Sequence, residues 1–133
     1  GHGAAAKAFG VVLVFGSGLF VLASGSPLQR TSFPATPASI ERGEVAFAKN
    51  CASCHGEAGK GDGAAGVSLT PPPADLTFHM PLHQDEGIFL FIAKGAPGTA
   101  MPGWGNVLTE EQIWDIVNYM RTEFAGGKAP SPP

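Results

Sequence analysis

The chain has 133 residues, a formal net charge of −3 and only 14% charged residues. One domain is expected at this length, and the charged fraction is well below the roughly 25% that is typical of soluble domains. The mildly acidic charge argues against a nucleic-acid-binding protein, which needs a basic face. Two cysteines are too few for a disulfide-dense scaffold or a four-cysteine zinc site.

The apolar excess is concentrated near the N-terminus, where residues 8–24 contain no charged side chain. A stretch of this length is at the lower limit for a helix that spans a bilayer. A cleaved signal peptide has a similar layout, and the small residues at 23–25 would suit a processing site. We expect residues 1–25 to be an uncleaved transmembrane anchor in contact with membrane lipid.

The remainder divides by composition into a linker, a domain and a tail. Residues 26–38 contain several prolines, serines and threonines, which favour an extended linker. Residues 39–126 form the predicted compact domain, and the Gly- and Pro-rich residues 127–133 are expected to be a flexible tail. Because so short a domain buries a modest core, a covalent cofactor would help to stabilise it.

Helical patterns dominate the compact domain, and no convincing strand alternation is present. Ser39 can cap a first helix that runs to Asn50. A second helix is predicted over residues 85–94, because two acids begin it and Gly95 follows it. Residues 56–73 are rich in glycine and proline and are predicted to be a loop.

The strongest predicted helix is the last one. Thr109 and Gln112 form a capping-box pattern at its start, and it runs to about Phe124. One face carries apolar side chains at helical spacing, so it is expected to be buried. These are Ile113, Ile116, Val117, Met120 and Phe124.

The most informative motif is residues 51–55, in which two cysteines in C-x-x-C spacing are followed directly by a histidine. This is the signature of c-type haem attachment. The two thiols can add to the porphyrin vinyl groups, and the adjacent histidine is held under the iron. A dithiol redox pair would need a βαβ pattern, and a zinc site lacks further ligands at useful spacing. The motif predicts one covalent haem c, attached through Cys51 and Cys54 and ligated by His55.

The compact domain resembles the class I c-type cytochromes over about residues 39–124. Gly43 and Phe47 precede the haem motif, and Ile116 and Tyr119 lie on the last helix. In that family, the glycine lets the first and last helices cross closely while the aromatic residues pack at the crossing. The resemblance implies an all-α class I cytochrome c fold around one covalent haem. It does not extend to the anchor, and the apolar stretch predicts that a single N-terminal transmembrane helix precedes this fold.

Two further segments are similar to class I cytochromes. Residues 71–76 look like the proline segment whose carbonyl accepts a hydrogen bond from the proximal histidine, which implies that Pro72 contributes to cofactor binding. Residues 95–104 resemble the loop that places the ligand methionine before a proline, which implies Met101 as the sixth ligand.

Other side chains compete with Met101 for the sixth position. Met80 is also followed by a proline, but it precedes the middle helix, which is the wrong side in the family pattern. His79 and His83 are further candidates, although exposed loop histidines are the favoured interpretation. Met120 belongs to the apolar face of the last helix, so it is expected to be core.

The function that these features imply is single-electron transfer rather than catalysis. The domain is expected on the periplasmic or exoplasmic side of a bacterial inner membrane, because haem c is attached there in bacteria. Residues 71–77 and 95–105 look like the monohaem subunit of bacterial alternative complex III, a quinol-oxidising assembly of a respiratory or photosynthetic chain. The same segments also resemble haem domains attached to terminal oxidases.

Charge indicates the kind of partner. Residues 41–123 hold eleven acidic and five basic side chains, a charge of −6. Such a charge would steer the domain toward a basic surface, and the alternative is an acidic surface that is simply solvated. The implied partners are other subunits of a membrane complex and redox proteins such as multihaem cytochromes, copper proteins or an oxidase. Two alternatives remain open. One is a haem enzyme or a gas or redox sensor with a labile sixth ligand, and the other is a mainly structural haem subunit.

Overall fold

The computed structural model describes residues 33–131, which form five α-helices, one 3-10 helix and no β-strand. The all-α prediction is therefore confirmed for this part of the chain. No helix within it is both long enough and apolar enough to cross a bilayer. The predicted anchor, residues 1–25, lies outside the described residues. The helices are α1 (Pro37–Asn50), α2 (Ala52–His55), α3 (Leu76–His79), the 3-10 helix (Met80–Leu82), α4 (Asp85–Lys94) and α5 (Glu110–Ala125).

Helix α1 begins earlier than predicted. Thr36 is its N-cap, and the Thr36 side chain accepts a hydrogen bond from the Ser39 backbone N–H at 3.1 Å. Pro37 occupies the first turn, where its missing N–H costs no helical hydrogen bond. The prediction that Ser39 caps this helix is wrong, because the threonine three residues earlier already supplies the cap and Ser39 lies buried inside the helix.

Ser39 instead joins the two longest helices through a buried polar cluster. Its hydroxyl donates to Asp115 Oδ1 at 2.5 Å and accepts from Asn118 Nδ2 at 2.7 Å. Arg42 donates to both oxygens of the Asp115 carboxylate, from Nε at 2.8 Å and from Nη2 at 3.1 Å. Asn118 Nδ2 also lies 3.3 Å from the carbonyl oxygen of Phe33, so the chain that enters α1 is attached to the middle of α5.

The crossing of α1 and α5 is close because of Gly43. A Cβ atom at this position would lie 1.9 Å from the carbonyl oxygen of Asp115. Beside this contact, the Phe47 ring packs at 5.4 Å from the Tyr119 ring and 5.5 Å from the Phe124 ring, measured between centroids. The close crossing implied by the resemblance is therefore present in the structure.

Helix α5 is buried over more of its surface than a single apolar face would require. The predicted capping box is present, and all five predicted apolar side chains are buried. The additional buried side chains arise because α1 packs on one side of α5 while α4 and the 3-10 helix pack on another. They are Trp114, Asp115, Asn118 and Arg121.

Helix α4 has the predicted bounds and ends at Gly95, which adopts a φ of +80°. Its Phe89 ring stacks on the Trp114 ring of α5 at 4.7 Å. Residues 56–73 contain no helix, as predicted, but α3 and the 3-10 helix were not anticipated. The segment after α5 also contacts the domain, because the carbonyls of Lys128 and Pro130 accept hydrogen bonds from Arg121 and Gln84.

Candidate functional site

The C-x-x-C-H motif is folded into a single helical turn. Cys51 ends α1 by donating its N–H to the carbonyl of Phe47 at 2.8 Å. Its own carbonyl then accepts hydrogen bonds from the N–H groups of Cys54 at 3.2 Å and His55 at 2.9 Å. This turn brings both thiols and the imidazole to the wall of the same cavity.

The His55 imidazole is oriented by a backbone carbonyl. Its Nδ1 lies 3.1 Å from the carbonyl oxygen of Ala74, and since a carbonyl can only accept, Nδ1 carries the proton. Nε2 therefore keeps its lone pair. Burial lowers the pKa of His55, which outweighs the opposite effect of the Ala74 hydrogen bond. The lowered pKa favours the neutral imidazole, and the Ala74 hydrogen bond leaves Nε2 as its free nitrogen, which is the form that binds a metal.

The carbonyl that meets His55 lies within the predicted segment, residues 71–76, and belongs to Ala74. Pro72 lines the cavity, yet the hydrogen bond is made by Ala74, two residues later. Contacts with the preceding glycine-rich loop set this register. Leu76 N–H donates to the Gly59 carbonyl at 2.6 Å, and a Cβ on Gly61 would lie 2.5 Å from the carbonyl oxygen of Pro73.

A cavity of about 630 Å³ opens beside the motif. This volume is within the range of about 300–1,000 Å³ that is usual for cofactor sites. Its walls are largely apolar and come from α1, the proline segment, α4, the loop before α5 and α5 itself. Cys51, Cys54, His55 and Met101 all line it. Two thiols, an imidazole with a free Nε2, a thioether and apolar walls together fit a covalently attached haem.

The loop that carries Met101 is held by its own hydrogen bonds. The Thr99 hydroxyl donates to the Ala96 carbonyl at 2.6 Å and accepts from the Met101 N–H at 3.1 Å. The Ala96 N–H in turn donates to the Met101 carbonyl at 3.2 Å. Further along, the Trp104 N–H donates to the Ile92 carbonyl of α4 at 2.8 Å. These bonds keep the half-buried Met101 side chain at the cavity wall.

The competing methionines and histidines occupy different places. Met80 is fully buried but does not line the cavity, whereas Met120 reaches the cavity from α5. The interpretation of His79 and His83 as exposed loop residues is wrong, because both are half-buried and line the cavity. The cause is the unanticipated pair of short helices, which turns this segment toward the cavity.

The electrostatics of the cysteines argue against a dithiol redox pair. Burial raises the pKa of the Cys51 thiol to about 12, and the neighbouring Cys54 adds to the increase. Disulfide exchange needs the thiolate. Residues 33–131 also contain no group of three or more histidine, cysteine, aspartate or glutamate side chains arranged to hold a metal ion. Neither alternative to haem attachment is supported by these residues.

Sequence reasoning also missed Arg121, although a signal was available. Arg121 lies four residues after Val117 and three before Phe124, so it falls on the predicted buried face of α5. Its side chain is 4% exposed and donates to Asp85 Oδ1 at 2.8 Å, to the carbonyl of His83 at 2.5 Å and to the carbonyl of Met80. A buried arginine thus anchors the segment that carries the two cavity histidines.

Comparison with known proteins identifies the family. The family described as "Cytochrome C oxidase, cbb3-type, subunit III" matches residues 38–120, more than half of the chain. The Cbb3-type cytochrome c oxidase subunit FixP of Azorhizobium caulinodans is 34% identical over 94 residues, which cover 70% of this chain and 29% of that protein. The corresponding subunit CcoP of Azospirillum brasilense is 29% identical over 68% of this chain and 30% of that protein. The chain therefore spans less than a third of these relatives.

Solved structures agree with this result. A chain of the reducing HAO-like protein complex of Kuenenia stuttgartiensis superposes with a TM-score of 0.65 at 32% identity, over 75% of this chain and 49% of that one. Cytochrome CL of Methylophaga aminisulfidivorans shares the fold, with a TM-score of 0.52 at 21% identity over 96% of this chain and 88% of that one. The chain thus belongs to the cbb3-type subunit III family of c-type cytochrome domains, and its cofactor is haem c attached through Cys51 and Cys54.

Proposed function

We propose that this domain carries single electrons between protein partners, with His55 and Met101 as the residues that would bind the iron of its haem. When bound, the haem supplies a ferrous–ferric couple, and a thioether ligand raises its reduction potential. The residues of the chain bind the cofactor, orient His55, exclude water and hold the sixth position closed. No position at the iron would then remain open for a substrate, which is why we propose a carrier rather than an enzyme.

The observation that carries this proposal is the meeting of Met101 and His55 in one apolar cavity. The Ala74 carbonyl engages Nδ1 of His55 and leaves Nε2 for the iron. Met101 reaches the same cavity from a separate loop, which its hydrogen bonds with Ala96 and Thr99 stabilise. Pro102 restricts Met101 to extended backbone conformations, so the loop has little freedom to withdraw the thioether.

Replacing Met101 tests the ligand assignment. Met101→Ala should remove the weak near-infrared sulfur-to-iron absorption band of the ferric protein and let the reduced protein bind carbon monoxide. Met101→His should keep the haem, because attachment depends on Cys51 and Cys54, and should lower the midpoint potential. A second imidazole stabilises ferric iron more than a neutral thioether does. The wild-type protein should resist carbon monoxide.

Met80 and Met120 provide matched controls for this experiment. Met80→Leu and Met120→Leu conserve side-chain volume and should leave the near-infrared band unchanged. Loss of the band in Met120→Leu, with Met101→Ala unaffected, would show that the ligand is assigned to the wrong methionine. Ready binding of carbon monoxide by the wild-type protein would favour the sensor or enzyme alternative over the carrier.

We also propose that the domain works as a subunit of a membrane-bound oxidoreductase complex, on the periplasmic side of a bacterial inner membrane. Relatives support this proposal, since they include cbb3-type oxidase subunits and, at 33% identity over 66% of the chain, the cytochrome c subunit of a quinone-dependent alcohol dehydrogenase of Gluconacetobacter polyoxogenes. A quinol-oxidising complex such as alternative complex III remains our specific hypothesis. Identifying the chains that co-purify with the full-length protein in detergent tests it, and co-purification with oxidase subunits alone would contradict it.

A further inference from the structure

Two histidines form a stacked pair in the wall of the haem cavity. The His79 and His83 rings lie with centroids 5.9 Å apart and planes inclined by 17°. Phe78 contacts His79 at 5.3 Å and Phe91 contacts His83 at 6.2 Å, so the four rings form a continuous row. Neither histidine belongs to the attachment motif or to the Met101 loop.

The backbone between these histidines is anchored by Arg121, a buried side chain that does not line the cavity. Arg121 donates to the carbonyls of Met80 and His83, and its Nε pairs with Asp85 at 2.8 Å. Hydrogen bonds from a charged guanidinium are stronger than neutral ones. The backbone that carries the two imidazoles is therefore held by a buried, ion-paired arginine.

Binding of haem c requires hydrogen-bond donors in the cavity wall. The macrocycle carries two propionate carboxylates, and carboxylates that enter a partly buried site need hydrogen-bond donors. No lysine, arginine, aspartate or glutamate from residues 33–131 lines the cavity. Apart from Cys51, Cys54 and His55, the ionisable side chains in this part of the wall are His79 and His83.

Other polar side chains in the wall are less suitable. The Thr99 hydroxyl has no proton left to donate, because it already donates to the Ala96 carbonyl within the Met101 loop. Asn50 donates its side-chain amide to the carbonyl of Ala46 at 2.9 Å, within α1. The remaining side-chain donors in this part of the wall are the indole of Trp104, in the loop beyond Met101, and the hydroxyl of Ser53, inside the attachment motif.

We propose that His79 and His83 bind the haem carboxylates through imidazole N–H groups and that Arg121 positions them to do so. Donors at the carboxylates reduce the negative charge that acts on the iron, so they favour the ferrous state and raise the potential. The inference extends the proposed electron-transfer role, but it requires only that haem c is attached and does not depend on which residue is the sixth ligand.

Proton NMR of the wild-type holoprotein tests the contact directly. The reduced protein is measured with carbon monoxide bound if the sixth position is open, so that the haem is diamagnetic whichever ligand it has. Nuclear Overhauser contacts are expected between the propionate methylene protons and ring protons of His79 or His83. The proposal would be overturned if the propionates contacted Trp104, or solvent alone, and contacted neither imidazole.

Variants provide a second test with the potential as the measured quantity. The double change His79→Leu and His83→Leu should lower the midpoint potential, whereas His79→Gln with His83→Gln keeps N–H donors and should recover most of the loss. Phe78→Leu is the control, since this exposed ring contacts His79 but does not line the cavity. A lowered potential in Trp104→Phe, with the leucine variant unchanged, would refute the assignment. If the leucine variant fails to fold, the NMR measurement on the wild-type protein still decides.

Discussion

Replacing Gly43 by alanine tests whether the crossing of α1 and α5 holds the haem domain together. The added Cβ would lie 1.9 Å from the carbonyl oxygen of Asp115 and 2.8 Å from the Cβ of Tyr119. Real Cβ atoms essentially never approach other atoms more closely than 3.0 Å. The obstructing atoms belong mainly to the backbone, which cannot rotate away. Because the core is densely packed, the two helices would have to separate by about 1 Å.

The expected cost follows from this separation. Overpacking a core costs about 1–3 kcal/mol, and a clash with backbone belongs at the upper end of that range. Separation would also weaken the Phe47–Tyr119 packing and the Ser39–Asp115 hydrogen bond at the same crossing. Alanine is more favourable than glycine inside a helix by roughly 0.5–1 kcal/mol, and this gain offsets a small part of the overpacking cost. We expect a net destabilisation of about 2 kcal/mol or more.

Gly87 provides the matched control. It also lies inside a helix, α4, but a Cβ there would meet nothing within 4 Å. Gly87→Ala should therefore stabilise the protein by roughly 0.5–1 kcal/mol. Urea unfolding of the haem-loaded proteins, followed by helical circular dichroism, should separate the two variants by about 3 kcal/mol, or roughly 12–24 °C in Tm. Equal stability of the two variants would refute the close-crossing argument.

Two further predictions concern buried groups on α5. Arg121→Met removes the charged partner of Asp85 and the donor to three carbonyls. It should lower the free energy of unfolding in urea by about 3–5 kcal/mol. A loss below about 0.5 kcal/mol would contradict the assigned network. Burial, with nearby glutamates, raises the pKa of Tyr119 above its ordinary 10.0, so its contribution to stability is complete below that pH and is lost as pH rises through the folded-state pKa. The unfolding free energy of the wild type should therefore fall relative to that of Tyr119→Phe as pH rises above about 10, and a difference that grows in favour of the wild type would contradict this sign.

The sequence alone was sufficient wherever the determining interactions are local. The spacing of Cys51, Cys54 and His55 brings their side chains to one helical turn, so the covalent cofactor could be predicted from five consecutive residues. The capping box of α5, its apolar spacing and the glycine that ends α4 are likewise rules that act within a few residues. Met101 was also selected from sequence, by resemblance, and its ligation stays a prediction.

Tertiary structure decided the features that depend on residues distant in the chain. Ser39 matches a helix cap, but its hydroxyl meets Asp115, 76 residues away, and no local rule encodes that contact. Which carbonyl of the proline segment meets His55 could not be predicted; it is that of Ala74, because the packing of the glycine-rich loop sets the register of this segment. His79 was interpreted as a loop histidine from sequence, but Arg121 of α5 binds the carbonyl of the next residue, Met80, and His79 lines the haem cavity.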